Sequence, residues 1–176
     1  YITFLSLLVL QFCIVQILKE MKKVSTILAL TYLTITSVFA QSKNEKQMEK
    51  RSINPWQWQD GRSYVQAVEV KEAKGTLYVS GQTAIGADGV SSNADMKSQI
   101  IQTLQNLEKV ISAAGYECKN IVRLNIYTTS NEEFFANFDI IQTWIAKHKI
   151  KQTSTVLEVK SLYETLKVEL EATVVK

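Results

Sequence analysis

The sequence predicts an α+β fold: a two-layer sandwich with elements in the order β-β-α-β-α-β-β. Three observations point to it. Between Tyr64 and Val175 the apolar residues alternate in some stretches and recur every three or four positions in others, the marks of half-buried strands and of amphipathic helices. The two helical stripes can both cover one apolar sheet face. At 176 residues, 46% hydrophobic and 21% charged, the chain suits one compact domain and not a disordered one.

The first forty residues stand apart from that domain. From Met21 the chain reads Met-Lys-Lys, then the apolar run Val24 to Phe39, then Ala40-Gln41. A basic start, a short apolar stretch and a small residue at the cut, with Val38 three before it, predict a secretory signal over 21–40. Residues 1–20 lie upstream of that methionine and read as an over-extended frame; the alternative is a membrane span over Ile2 to Leu18, interrupted by Gln11 and Gln16. The expected location is periplasmic or secreted, with no stable membrane association after cleavage. Residues 41–52 carry four Lys/Arg and two Glu with no apolar period, so they read as a flexible leader to a domain over 53–176. Trp56 and Trp58, beside the one proline at Pro55, read as packing at the domain edge.

The elements follow in order. Tyr64, Gln66, Val68 and Val70 alternate against Val65, Ala67 and Glu69, and Thr76 to Ser80 follows a turn at Ala73-Lys74-Gly75, which predicts a hairpin. Gly86-Ala87-Asp88-Gly89 is loop chemistry. Ile100, Leu104, Leu107, Ile111 and Ala114 form a helical stripe, capped near Asn93 or Asp95 and stopped at Gly115. Val122, Leu124 and Ile126 alternate again. Asn131 with Glu132 and Glu133 predicts an N-cap for a second helix buried along Phe134, Phe138, Ile141 and Ile145. Thr153 to Lys160 and Leu166 to Val175 are the last strands. On them Leu157, Val159, Val168 and Leu170 are expected to share one face, and Ser154, Glu158, Glu169 and Glu171 the other.

Charge and cysteine usage exclude some functions. Removing Lys19, Glu20, Lys22 and Lys23 with residues 1–40 leaves 17 basic against 16 acidic side chains, a charge near +1. That is no footprint for nucleic acid. Cys118 remains alone, so it forms no internal disulfide and reads as a small packed side chain. With no His/Cys cluster the usual zinc arrangements are absent, and no metal site is expected. His148, the only histidine, reads as a cation at a helix C-terminus.

Tyr64-Val65-Gln66, Leu77-Tyr78-Val79-Ser80-Gly81-Gln82, Leu104-Gln105-Asn106-Leu107, Ala113-Ala114-Gly115 and Val168-Glu169-Leu170-Glu171-Ala172, in this order, resemble the RidA (YjgF) family. The similarity runs from about Ile53 to Val175. It implies a chorismate-mutase-like homotrimer with a small-molecule cleft at each subunit boundary. It also implies hydrolysis of enamine or imine intermediates to keto acid and ammonia, of the 2-iminobutanoate or 2-iminopropanoate type, with no cofactor. Carried over by position, Glu169 matches the glutamate that positions water, Tyr64 the early-strand tyrosine that shapes the cleft, and Gly81, with Ser80 beside it, the strand-end glycine. Ser154 falls where the family has the arginine that pairs with the substrate carboxylate, and Phe138 where it often has asparagine.

That replacement has a size. Two parallel charge-assisted bonds to a carboxylate contribute about 1.5–3 kcal/mol each, whereas a serine offers one neutral bond. Either the cleft binds a small metabolite with weakened deaminase chemistry, or the trimer is a non-catalytic binding or scaffold protein. Arg62, Arg123 and Lys151 are the cations closest in sequence to the site segments.

Overall fold

The computed structural model describes residues 4–42 and 47–176, and the chain divides into two units, residues 1–46 and 47–176. Within the first, Phe4–Ser42 forms a single helix, α1, with Lys23 Nζ 2.6 Å from Glu20 Oε1. Among the described residues no helix is long and apolar enough to cross a membrane. The second unit is an α+β domain whose strands are β1 (Glu49–Ile53), β2 (Ala67–Lys71), β3 (Thr76–Thr83), β4 (Ile121–Thr128), β5 (Thr153–Glu158) and β6 (Val168–Val175). Its helices are α2 (Met96–Ala113), α3 (Asn131–Phe135) and α4 (Phe138–His148).

The main sheet has the order β3-β6-β4-β5, antiparallel except for the β4–β5 pair. Leu124 and Ile126 of β4 and Val168, Leu170 and Val174 of β6 are buried against Ile100, Leu104, Leu107 and Ile111 of α2 and Ile141 and Ile145 of α4. Both helical stripes therefore cover one face of the sheet, as the periodicity predicts. Asp95 caps α2, its carboxylate accepting from Ser98 N at 2.8 Å, and Gly115 ends the segment with a φ of 72° that suits glycine. Cys118 is buried in the core, and burial, with Glu108 nearby, pushes its thiol up to about 11.

Four expectations change. The leader is not unstructured to Ser52: β1 begins at Glu49 and pairs with β2 from Glu49↔Lys71 to Ile53↔Ala67, while residues 43–46 lie outside the described residues. Main-chain pairing, with Arg51 Nε 2.9 Å from Glu69 Oε2, orders a segment with no apolar period. The predicted hairpin of β2 and β3 is not formed either. β2 pairs with β1 and β3 with β6, and the Lys74-Gly75 turn bonds to the carbonyl of Lys176 instead of closing a ladder.

The second helix is split in two. Ser130, not Asn131, caps α3 by accepting from Glu133 N, and Asn137 Nδ2 donates to Glu133 O at 2.8 Å where the helix breaks. A short amide side chain competing for backbone partners is the physical reason. The fourth change concerns β5. Its parallel register with β4, Leu124↔Ser154 and Ile126↔Val156, turns Ser154 and Val156 toward the helices and leaves Leu157 half exposed. Glu169 pairs with Tyr127 and points the other way. Alternation fixes two faces per strand; only register says which faces join.

Candidate small-molecule site

A cavity of about 500 Å³ lies on the helix side of the sheet, walled by the segment Gly61 to Tyr64, by Phe135, Phe138, Ile141, Gln142 and Ile145, and by Ile126, Gln152, Ser154 and Val156. That volume is in the range of small-molecule sites. The local sequence explains the wall: Gln152, Ser154 and Val156 are spaced by two around β5, and Phe138, Ile141 and Ile145 form one stripe of α4. Tyr64 and Ser154, far apart in the chain, meet here. Sequence reasoning took both as site residues.

The polar groups of the cavity are mostly engaged with the protein itself. Ser154 Oγ donates to Leu124 O at 2.8 Å, so its proton is committed to the sheet. Gln152 Nε2 donates to Ser63 O at 2.9 Å, and Gln152 O accepts from Val65 N at 2.9 Å, which ties the Ser63–Val65 segment to β5. Gln142 Nε2 lies 3.4 Å from Gly61 O and 3.3 Å from Ser63 Oγ.

Among the lining residues Arg62 is the one cation. It is exposed, and its Cζ sits 5.1 Å from the centroid of Trp58, which is itself stacked on Trp56 at 6.3 Å. The tryptophans are thus an exposed pair at the domain edge. Lys151 lines a neighbouring cavity that shares Ser63 and Tyr64 with this one, and Arg123 Nε bonds Asn125 Oδ1 on the opposite sheet face.

The remaining predicted site residues lie on that opposite face. Ser80 and Gly81 form a bulge in β3, where the pairing jumps from Val79↔Ala172 to Gln82↔Leu170 and leaves Glu171 opposite two residues. The bulge makes room for Glu169: a Cβ on Gly81 would collide with Glu169 Oε1. Ser80 is exposed. Burial, and then the charge of Glu171, hold the Glu169 carboxyl above its ordinary range. Glu171 Oε2 accepts from Tyr127 OH at 2.8 Å, and that bond raises the phenol in turn.

Sequence reasoning expected Tyr64, Ser80, Gly81, Ser154 and Glu169 around one cleft. Within one chain the structure divides them, Tyr64 and Ser154 in the cavity and Gly81 and Glu169 across the sheet. It missed Gln152 and Phe135 as lining residues. A reading of every second residue from Ser154 back would have found Gln152. It also missed a tie between helices: Trp144 Nε1 donates to Glu108 Oε1 at 2.5 Å and His148 Nε2 lies 3.0 Å from the same oxygen. His148 therefore packs across to α2 as well as ending α4.

The domain is thus an α+β sandwich with both helices over one sheet face and a cavity of small-molecule size beside β4 and β5. The family model described as Endoribonuclease L-PSP matches residues 59–176. The chain belongs to that family, the RidA (YjgF) family. It is 32% identical over 113 residues to a RutC family protein of Aquifex aeolicus, covering 64% of this chain and 88% of that one. TdcF of Escherichia coli K12, a reactive intermediate deaminase by name, is 24% identical over 114 residues, covering 64% of this chain and 86% of its own. Among solved structures, the Rid family protein YyfB of Yersinia pestis superposes with a TM-score of 0.65 at 28% identity, covering 72% of this chain and 98% of that chain.

Proposed function

We propose that this protein is an exported, homotrimeric RidA-family protein that binds a small metabolite at clefts between subunits, and that it has lost most of the family's hydrolysis of 2-imino acids to keto acid and ammonia. One observation carries the reading: Ser154 brings no charge to the cavity wall, and its proton is already given to Leu124 O. An arriving carboxylate meets no guanidinium there. Arg62, in water and stacked on Trp58, offers an exposed ion pair contributing about 0–1 kcal/mol.

The division of the site supports the trimer. Tyr64 and Ser154 lie on one side of the sheet and Glu169 on the other, so a single cleft containing all three needs a second copy to bring its own outer face to this cavity. Glu169, its carboxyl raised above the ordinary range by burial and then by the charge of Glu171, would then position water at a neighbour's cavity. Export rests on the Met21 to Ala40 pattern, and determining the N-terminus of the exported protein tests it: Gln41 is expected, and a start at or before Met21 contradicts it.

The activity is tested by ammonia release from freshly generated 2-iminopropanoate. The expected result is a rate close to that of buffer for the native chain. A rate well above buffer that disappears in Arg62→Ala would show that Arg62 replaces the missing anchor and would overturn the reading.

A further inference from the structure

We propose that the cleft between subunits takes a small organic cation, an ammonium or iminium ion that carries no carboxylate. The inference rests on the small-molecule reading above and names the ligand class for the same site, with the outer face of a second copy as one of its walls.

The cavity side contributes aromatic faces and little charge. Its lining holds no carboxylate, and Arg62, the one cation, is exposed and sits over the ring of Trp58. Phe135 and Phe138, with ring centroids 5.6 Å apart and planes at 59°, stand there with Tyr64. A cation against such rings is attracted by their quadrupoles. Of the polar side chains, Ser154 has given its proton to Leu124 O and Gln142 has turned its Nε2 to Gly61 and Ser63, so both offer lone pairs. The hydroxyls of Ser63 and Tyr64 are neutral and can accept as well as donate. Gln152 Oε1 is buried out of reach and plays no part.

The second copy contributes the charge. Its outer face presents Glu169 and Glu171, two residues apart on β6, and among the described residues neither forms an ion pair. Tyr127 OH and Asn125 Nδ2 lie 2.8 and 3.4 Å from Glu171 Oε2 and hold that carboxylate in place. Arg123 shares this face, but it pairs with Thr173, four residues along β6 from Glu169 and so about 13 Å away. Its Nε is bonded to Asn125 Oδ1. With Ser154 on the facing wall, the assembled cleft therefore sets two carboxylates from one copy against a single exposed guanidinium from the other. A carboxylate ligand is repelled there, and an ammonium supplies the partner that the acids lack.

Butylammonium, 1-butanol and butyrate separate the possibilities because they share a chain and differ in charge. The mass of the full chain in solution is measured first, and each probe is then titrated with amide NMR shifts followed at Tyr64 and Glu169. A trimer is expected, with both residues responding together although they lie on opposite sides of one chain's sheet. Butylammonium is expected to bind at least about tenfold tighter than butanol, and butyrate more weakly than either. Glu169→Gln is expected to remove most of that preference. Lowering the native protein to about pH 4, where carboxyls begin to protonate, is expected to weaken butylammonium and leave butanol unchanged, which keeps the test valid should the variant not fold. Butanol or butyrate binding as tightly as butylammonium to an assembled trimer overturns the cation assignment and leaves the small-molecule reading standing. A monomeric chain, or one that shows no shifts with any probe at millimolar concentration, overturns both.

Discussion

The two faces of β4, β5 and β6 carry the two groups of candidate residues, and they are built on opposite rules. On the helix side, around Ser154 and Gln152, polar atoms are few and point into the protein's own backbone. On the outer side, Glu169 and Glu171 stand two residues apart, one pressed over Gly81 and the other tied to Tyr127. The outer face of β6 carries two carboxylates, and the wall that β5 gives to the cavity carries no charge. On the function proposed above, a cleft built from both faces would hold a carboxylate for water and no cation beside Ser154 for an imino acid.

The largest test of this contrast is on the outer face. Gly81→Ala puts a methyl where Glu169 lies and is expected to cost about 1–3 kcal/mol in denaturant unfolding. The double variant with Glu169→Ala should recover much of the loss; additive costs would mean the two residues do not share that space. On the cavity side, Gln152→Leu leaves Ser63 O without its donor and is expected to cost about 1–2 kcal/mol. A neutral result there would leave the main-chain bond from Val65 N to Gln152 O as the tie that matters between this segment and β5.

The smallest effect is electrostatic. Because the folded Glu169 carboxyl titrates above its unfolded value, the folded state holds its proton more tightly, and the chain loses stability as pH rises from the unfolded value through the folded one. Glu169→Gln should therefore raise Tm slightly at pH 7, with the gain vanishing below about pH 4, where the acid is protonated in both states. A stabilisation that persists unchanged at low pH would assign it to packing instead of charge.

Much of this was legible in the residues, and the exceptions have physical causes. The stripes on α2 and α4, the cap at Asp95 and the stop at Gly115 follow from local periodicity and capping, and they hold. What alternation cannot supply is register. Ser154 and Glu169 both alternate against apolar neighbours, and only the parallel pairing of β5 with β4 places one inward and the other outward. The pairing of β1 with β2, and the turn at Gly75 closed by Lys176, are long-range main-chain contacts with no side-chain pattern to announce them. Ser154 was legible as a candidate residue by its position; that its hydroxyl is already bonded to Leu124 O needed coordinates.

The most direct test of the central claim is calorimetric titration of 2-oxobutanoate, a stable keto acid, into the native chain and into Ser154→Arg. Two restored charge-assisted bonds correspond to about two to four orders of magnitude in affinity. No measurable binding by the native chain at millimolar ligand and clear binding by the variant are expected. Tight binding by the native chain, unimproved by the arginine, would contradict that claim.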